Sequence, residues 1–228
     1  MTNAPTFERE RELAERGFHH VAGVDEAGRG PLAGPVVAAA IVLPPGFSSP
    51  HFHLLNDSKQ LKENLREVLF EELKARVAFG IGIVEAAEID SINIRQASWR
   101  AMQIAVADLT TKSTPLFGRT FPDYVLIDGL SYGEGPFEYE AIVKGDAKSL
   151  SIAAASVVAK VVRDDVMRKL DARFPLYGFA QHKGYGTAQH LRALEEHGVC
   201  SEHRKTFAPV RRVLEFSREL STSGGDEA

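Results

Sequence analysis

The segment that most constrains the fold of this chain runs from Val21 to Pro35 and reads VAGVDEAGRGPLAGP. Its short apolar run ends in two adjacent carboxylates, Asp25 and Glu26, and a Gly-Arg-Gly turn over residues 28–30 follows directly. Carboxylate oxygens suit hard divalent cations such as Mg²⁺ or Mn²⁺. A glycine-rich turn lets backbone N–H groups approach a phosphate closely, and an arginine within it adds further donors. The segment therefore indicates metal-dependent phosphodiester chemistry.

Composition favours one large folded domain, since 44% of the 228 residues are hydrophobic and 25% are charged. The net charge of −4 is unevenly distributed. Residues 1–143 contain 13 Lys+Arg and 20 Asp+Glu, whereas residues 144–212 contain 13 and 7. A basic segment in an acidic chain is a weak indication of a polyanionic partner, and a solvated charged face explains it equally well.

The cysteine content and the lack of long apolar segments indicate the expected cellular compartment. Cys200 is the single cysteine, so an internal disulfide is impossible, which fits a reducing compartment. The segment from Met1 to Gly17 is polar and lacks the apolar core of a secretory signal. No apolar run approaches the roughly 20 residues of a membrane span. We therefore expect a soluble cytoplasmic protein with no membrane segment.

Hydrophobic periodicity predicts alternating strands and helices. The predicted strands lie at residues 19–24, 36–43, 77–84, 124–127 and 137–143. The predicted helices lie at residues 7–16, 59–76, 93–109, 149–174 and 187–197, and from residue 209 onward. The first two strands should form an antiparallel hairpin, and residues 110–122 should form a loop. This order predicts an α/β fold, a mixed sheet flanked by helices, in which the helices from about residue 149 form a C-terminal helical part.

Two further acids share the setting of Asp25 and Glu26. Asp128 ends the apolar run at 125–127, and Asp146 lies between a predicted strand and a predicted helix. Strand ends in one sheet meet at its edge, where the sites of α/β proteins usually lie. Taken singly, each acid is more simply explained as a turn residue or a helix cap. Because four clustered carboxylates repel one another unless cations lie between them, the set predicts two-metal phosphodiester hydrolysis.

Other residues are candidates for contact with a nucleic acid. Lys59 and Lys148 are candidate phosphate contacts, or simply exposed lysines. Tyr185, within the segment 182–186, suits stacking on a sugar or base, and a packed loop aromatic is the competing interpretation. Residues 203–205 would either add backbone contacts or cap the preceding loop.

Taken together, these motifs resemble bacterial ribonuclease HII, of the type 2 ribonuclease H family. The resemblance extends from about residue 18 to residue 213, and its six motifs agree in type and order. They are Asp25–Pro31, Asn56–Lys59, Ile127–Gly129, Lys144–Ser149, the helix from Ala153 to Asp164, and His182–Thr187.

The resemblance implies an RNase H-like fold with a C-terminal helical part. It also implies the domain boundaries. Residues 1–17 would be an N-terminal extension, residues 18–213 the catalytic domain with its helical part from about 149, and residues 214–228 a tail.

The implied activity is endonucleolytic hydrolysis of the RNA strand of RNA–DNA hybrids. It includes incision 5′ to single ribonucleotides embedded in duplex DNA, as in ribonucleotide excision repair, and leaves 5′-phosphate and 3′-hydroxyl ends. By motif match, two ions of Mg²⁺ or Mn²⁺ would be held by Asp25, Glu26, Asp128 and Asp146. The implied partners are RNA–DNA hybrids and DNA duplexes that contain ribonucleotides, and the implied state is a monomer.

The resemblance also implies which residues bind the substrate. They are Gly28, Arg29, Gly30, Lys59, Lys148 and Tyr185. The glycine turn would grip the ribose 2′-hydroxyl and the adjacent phosphate, and Tyr185 would stack on the next deoxyribose. The two lysines would contact the substrate backbone.

Two other functions use part of the same sequence pattern. A metal-dependent phosphatase for small phosphate esters needs the carboxylates but neither Tyr185 nor the basic segment. A non-catalytic nucleic-acid-binding module needs the basic segment but not Asp128. Incision of a duplex that bears one ribonucleotide separates both alternatives from the nuclease.

Overall fold

The computed structural model describes residues 4–57, 61–117 and 121–223. The strands within these ranges are β1 (Val21–Ala27), β2 (Val36–Val42), β3 (Phe79–Val84), β4 (Tyr124–Asp128) and β5 (Tyr139–Ile142). The helices are α1 (Glu8–Glu15), α2 (Glu63–Lys74), α3 (Ala86–Phe117), α4 (Leu150–Arg173), α5 (Phe179–His182), α6 (Ala188–His197) and α7 (Ala208–Ser223). Short 3-10 turns cover Phe52–Asp57 and Gly145–Ala147. None of the helices described is both long and apolar enough to cross a membrane.

The five strands form one sheet in the order β3-β2-β1-β4-β5. β1 pairs antiparallel with β2, so the predicted hairpin is confirmed. β1 also pairs in parallel with β4, and β4 pairs in parallel with β5. The sheet is therefore mixed, with β1 at its centre, and the predicted α/β class is confirmed.

β2 and the first four residues of β4 are apolar, as expected for strands with both faces covered. β2 is buried from Val36 to Ile41 and β4 from Tyr124 to Ile127. In β1, a Cβ on Gly23 would lie 2.1 Å from the carbonyl carbon of Ser151. Glycine at this position lets the first turn of α4 approach the strand closely.

The chain forms two compact units, each built from several separate segments. One, which we call the sheet unit, comprises Met1–Ala27, Val37–Ile83 and Ser98–Val162. The other, which we call the helical unit, comprises Gly28–Val36, Val84–Ala97 and Arg163–Ala228.

Each unit has its own buried apolar core. In the sheet unit, leucines of α2 pack with β2 and with the small residues of α4. In the helical unit, one cluster includes Met167, Leu170 and Phe179, and another includes Leu194 and Val210.

Asn93 divides α3 at the position where the sequence predicts a new helix to begin. Its φ of 66° and ψ of 161° are not helical, and its Oδ1 accepts hydrogen bonds from the N–H groups of Arg95 and Gln96, at 3.0 and 3.2 Å. Asn93 is therefore an N-cap.

The loop expected over residues 110–122 is wrong as far as residue 117, because α3 continues to Phe117. The hydroxyls of Thr110 and Thr111 donate to the carbonyls of Val106 and Ala107, both at 2.9 Å. The two threonines satisfy their own hydroxyls inside the helix, so they do not end it.

The remaining helix boundaries agree in part with the sequence. The helix predicted at residues 187–197 is confirmed: Thr187 caps α6 by accepting from the N–H of His190, and Gly198 follows its last residue. The start predicted for α2 at residue 59 is wrong, because α2 begins at Glu63. Before the start of α2, Leu61 is buried, and its carbonyl oxygen accepts a hydrogen bond from the Arg66 side chain at 2.6 Å.

Replacing Gly23 with alanine should destabilise the sheet unit. The added methyl group would overlap backbone atoms of Ser151, so β1 and α4 would have to separate. We expect the free energy of unfolding in urea to fall by roughly 1–3 kcal/mol or more. The control is Val68→Ala, because Val68 of α2 is 42% exposed. This change should alter the free energy of unfolding by less than about 0.5 kcal/mol. An unchanged Gly23→Ala protein would contradict this account of the packing.

Candidate active site

Parallel pairing of β1 with β4 brings Asp25 and Asp128 to the same level of the sheet. Val24 lies opposite Ile127 in the ladder, and each acid is the next residue of its strand. Asp25 is buried, and burial raises its pKa well above the ordinary value. The charges of Glu26 and Asp128 raise the pKa further, whereas hydrogen bonds from the Ser156 side chain and the Glu26 N–H lower it. Three of the four predicted carboxylates therefore interact electrostatically.

Asp146 reaches the same end of β4 through a backbone contact. The N–H of Gly145 donates to Oδ1 of Asp128 at 2.6 Å, and Asp146 is the next residue, buried in the turn Gly145–Ala147. This hydrogen bond fixes the Asp128 carboxylate and holds the turn that contains Asp146.

The donor set fits a hard divalent cation. All four side chains offer only oxygen, which Mg²⁺ and Mn²⁺ prefer. Oε2 of Glu26 and Oδ1 of Asp146 are buried and accept no hydrogen bond from the described residues, although both residues have other interactions. Among the described residues, no three His, Cys, Asp or Glu side chains lie close enough together to hold one metal ion. Mutual repulsion of like charges is a physical reason for carboxylates to stay apart until a cation is present.

Ser156 is a contact that sequence reasoning missed. The sequence gives it no nucleophile pattern, but its position on α4 lets its side chain hydrogen-bond to Asp25. The small apolar residues of α4 on either side of it are the only sequence signal, because they mark the face that packs on the sheet.

The Gly-Arg-Gly turn belongs to the helical unit and requires glycine at its first position. Gly28 has a φ of +96°, and a Cβ there would lie 1.9 Å from Nε of Arg163 and 2.8 Å from the carbonyl oxygen of Pro35. Arg29 and Gly30 are exposed. The turn thus has a buried side, lined by Arg163, and a side that faces solvent.

Arg204 is buried beneath this turn. It donates to the carbonyl oxygens of Gly28 at 2.6 Å, of Arg29 at 2.9 Å and of Gly34 at 3.0 Å. Burial, and then the charge of Arg163, lower the pKa of Arg204 to about 9. The sequence placed it among possible backbone contacts with a nucleic acid; with a fully buried side chain it instead contacts the turn from within.

Arg163 is a second buried guanidinium of the same kind. It donates to the carbonyl oxygens of Pro35 and Lys183, both at 3.0 Å, and of Ala33 at 3.3 Å. Burial lowers its pKa to about 10. The sequence signal for Arg163 is slight, a single arginine where the apolar half of α4 changes to its charged half.

Tyr185 lies beside the turn, and its ring is accessible. Its Cε1 is 3.6 Å from the position that a Cβ on Gly30 would occupy, and 48% of the residue is exposed. The structure therefore brings together Tyr185 and Gly30, both predicted to bind substrate.

Two histidines hold the backbone of Tyr185. The N–H of Cys200 donates to Nδ1 of His203 at 3.0 Å, so the proton of that ring is on Nε2. His203 Nε2 then donates to Nε2 of His190 at 3.0 Å, and His190 Nδ1 donates to the carbonyl oxygen of Tyr185 at 3.0 Å. This chain of hydrogen bonds requires both imidazoles to be neutral.

A third histidine holds the neighbouring residue. Nδ1 of His182 accepts from the N–H of Gly184 at 3.2 Å, and its Nε2 donates to the carbonyl oxygen of Tyr177 at 2.8 Å. His182 also stacks on His190, with ring centroids 4.5 Å apart. The aromatic segment 182–186 is therefore fixed by buried rings, while the ring of Tyr185 remains exposed.

The two predicted lysines have different outcomes. Lys148 is exposed and follows Asp146 by two residues in the sheet unit. Lys59 lies outside the described residues.

Comparison with known proteins gives consistent matches over most of the chain. The sequence matches the family model described as Ribonuclease HII over residues 22–210. It is 50% identical over 207 residues to a Ribonuclease HII of Bacillus cereus, covering 90% of this chain and 76% of that protein.

Solved structures are similar as well. Ribonuclease H2 from Pyrococcus horikoshii OT3 has a TM-score of 0.69 and 28% identity over 87% of this chain and 99% of its own. Bst-RNase HIII in complex with Mn²⁺ has a TM-score of 0.63 and 18% identity over 91% of this chain and 73% of its own, a similarity of fold. The predicted RNase H-like fold is confirmed.

Acid should destabilise the protein through His203. Because the pKa of His203 is lowered to about 4 in the fold, from an ordinary value of 6.5, the unfolded chain binds a proton at this residue first as pH falls. The stability that neutral His203 contributes is thus complete above about pH 6.5 and is lost as pH falls toward 4. Between pH 7 and 5 the loss should be about 2 kcal/mol.

His203→Asn isolates this contribution, since asparagine does not titrate. We expect the wild-type free energy of unfolding in urea to fall more steeply from pH 7 to 5 than that of the variant. Carboxylates titrate in both proteins, so they cancel in the difference. Parallel pH profiles would contradict a neutral, buried His203.

Proposed function

The chain belongs to the ribonuclease HII family, and from that premise we propose that it incises duplex DNA 5′ to single embedded ribonucleotides as well as cleaving RNA–DNA hybrids. Membership makes it a metal-dependent endonuclease of the ribonuclease H type that acts on RNA–DNA hybrids. The proposed products carry 5′-phosphate and 3′-hydroxyl ends. The proposed setting is ribonucleotide repair by a cytoplasmic monomer.

One observation carries this proposal, the cluster of carboxylates at the ends of β1 and β4. Repulsion from Glu26 and Asp128 adds to the burial that raises the pKa of Asp25, so the site is poised to gain from added positive charge. Mg²⁺ or Mn²⁺ would be held by the four acids Asp25, Glu26, Asp128 and Asp146. The structure of Bst-RNase HIII with Mn²⁺ supports the use of Mn²⁺.

The chain's own residues fix the geometry of the reaction. The Gly145 N–H orients Asp128, and the Ser156 side chain orients Asp25. The chemistry that two bound ions supply is activation of the attacking water and stabilisation of charge on the leaving oxygen. No protein nucleophile is needed, because water attacks in line and the 3′ oxygen departs.

Recognition of the ribonucleotide is assigned to the Gly-Arg-Gly turn and Tyr185. Gly28 follows Glu26 by two residues in the sequence. A glycine-containing turn that follows two carboxylates in the sequence is suited to contact the ribose 2′-hydroxyl and the adjacent phosphate. The exposed ring of Tyr185 beside Gly30 is suited to stack on the neighbouring deoxyribose. Lys148, exposed near Asp146, and Lys59 are proposed contacts to the substrate backbone.

Asp128→Asn should abolish most incision while leaving the protein folded. The amide keeps an oxygen for the Gly145 N–H but removes the negative charge that a cation needs. We expect kcat on a duplex with one ribonucleotide to fall by at least about 100-fold in Mg²⁺ or Mn²⁺.

The same assay decides between the three functions that the sequence left open. An all-DNA duplex and a small phosphate ester serve as control substrates for the wild-type protein. Hydrolysis of the ester without incision would favour a phosphatase, and unchanged behaviour of Asp128→Asn in every assay would favour a binding module.

Arg29→Ala and Tyr185→Ala should weaken selectivity rather than abolish catalysis. Both residues are exposed, so neither change should disturb folding. We expect the preference for the junction between a ribonucleotide and DNA, measured as the ratio of kcat/KM for junction and continuous-hybrid substrates, to fall by roughly 10-fold. Tyr185→Phe is the matched control for stacking and should retain the preference. If both alanine variants select the junction as wild type does, the recognition roles are wrong.

A further inference from the structure

The contacts of Arg204 determine which way the peptide groups of the Gly-Arg-Gly turn face. Nη2 and Nη1 of one guanidinium hold the carbonyl oxygens of two successive residues, Gly28 and Arg29. Nε of the same side chain holds the carbonyl oxygen of Gly34 further along the segment. A planar fork of donors therefore fixes two adjacent peptide planes from the buried side of the turn.

The orientation of the N–H groups follows from peptide geometry. In a planar trans peptide, the C=O of one residue and the N–H of the next point in opposite directions. Because the carbonyls of Gly28 and Arg29 point toward buried Arg204, the N–H groups of Arg29 and Gly30 point away from it. Arg29 and Gly30 are exposed, so these N–H groups face the solvent side of the turn. Successive N–H groups on one side of a turn form a concave site for anionic or lone-pair oxygens.

We propose that Arg204 is a positioning residue that aims the N–H groups of Arg29 and Gly30 at the 2′-hydroxyl and neighbouring phosphate of a ribonucleotide. This inference rests on the proposed function and deepens it, because it identifies the buried residue on which discrimination between ribose and deoxyribose depends. Arg204 itself does not touch the substrate.

The surroundings of Arg204 suit this role. All three of its hydrogen bonds go to backbone carbonyls, so its cation is not engaged with a carboxylate through any of them. Asp90, the acid whose charge acts on Arg204, instead accepts from the N–H groups of Lys205 and Thr206, at 2.7 and 2.9 Å, and from the Thr206 hydroxyl at 2.6 Å. Asp90 thus anchors the segment that carries Arg204, and two nitrogens of the guanidinium donate to the turn.

Lysine cannot replace arginine in this arrangement. A single ammonium is a point donor on a flexible stem, whereas the guanidinium spans separate carbonyls in fixed directions. Arg204→Lys keeps the positive charge but would leave at least one of the two turn carbonyls without its donor. The peptide planes of Gly28 and Arg29 would then rotate, and the N–H groups would lose their common direction.

The test measures binding in EDTA, which prevents cleavage, by fluorescence anisotropy with two duplexes that differ by a single 2′-hydroxyl. We expect wild type to bind the ribonucleotide duplex about tenfold more tightly than the all-DNA duplex, as one or two hydrogen bonds allow. Arg204→Lys should reduce this preference to less than about twofold, with little change in affinity for DNA. Asp90→Asn is the control, because it loosens the anchor of the same segment and keeps the guanidinium. It should retain the wild-type preference, although its Tm falls.

Folded Arg204→Lys protein that keeps the wild-type preference would overturn the inference, and so would an Asp90→Asn protein that loses the preference as completely. If Arg204→Lys does not fold, NMR of the wild type decides. The amide resonances of Arg29 and Gly30 should shift with the ribonucleotide duplex more than with the DNA duplex, and equal shifts would overturn the inference. Absence of metal-dependent incision by wild type would instead refute the proposed function, so the two failures are distinguishable.

Discussion

Parallel pairing of β1 with β4 is the constraint on which the candidate catalytic site depends. It places Asp25 and Asp128 side by side, and burial keeps water from screening their repulsion. The fold sustains this arrangement because Gly23 lets α4 approach β1, and α4 supplies the Ser156 hydrogen bond to Asp25. Close packing and unfavourable electrostatics therefore occur on the same strand, a combination typical of functional sites.

The helical unit buries positive charge, whereas the candidate catalytic site buries negative charge. Arg163 and Arg204 are buried cations, and six backbone carbonyls accept their hydrogen bonds. Carbonyl oxygens stabilise a buried cation without cancelling its charge. The positive charge therefore remains beneath the Gly-Arg-Gly turn, whereas a salt bridge would largely neutralise it. A turn supported in this way is both rigid and favourable to a polyanion.

The sequence predicts those features of the fold that depend on local chemistry. Acids that follow apolar strands, the cap at Asn93 and the cap at Thr187 are each recognisable within a few residues. The contacts of Arg204 are not recognisable, because its partners Arg29 and Gly28 precede it by 175 and 176 positions. In the sequence, Arg204 also looks like any exposed arginine. The same limit applies to α3, which continues beyond its apolar pattern, with the hydroxyls of Thr110 and Thr111 bonded to carbonyls inside the helix. Residues of the Gly-Arg-Gly motif were therefore identifiable from sequence, and the residue that orients them was not.

The imidazole chain shows why this support is built from polar residues inside a core. An apolar side chain in place of His190 would leave the Tyr185 carbonyl without its donor, and the glycine-containing segment 182–186 would lose its fixed direction. Neutral imidazole both donates and accepts, so His203 and His190 together link the Cys200 N–H to the carbonyl oxygen of Tyr185 by hydrogen bonds. The exposed ring of Tyr185 then needs no contacts of its own to be positioned. A rigid backbone with an accessible ring suits the proposed stacking of Tyr185 on a sugar, since ordering a mobile loop would reduce the affinity.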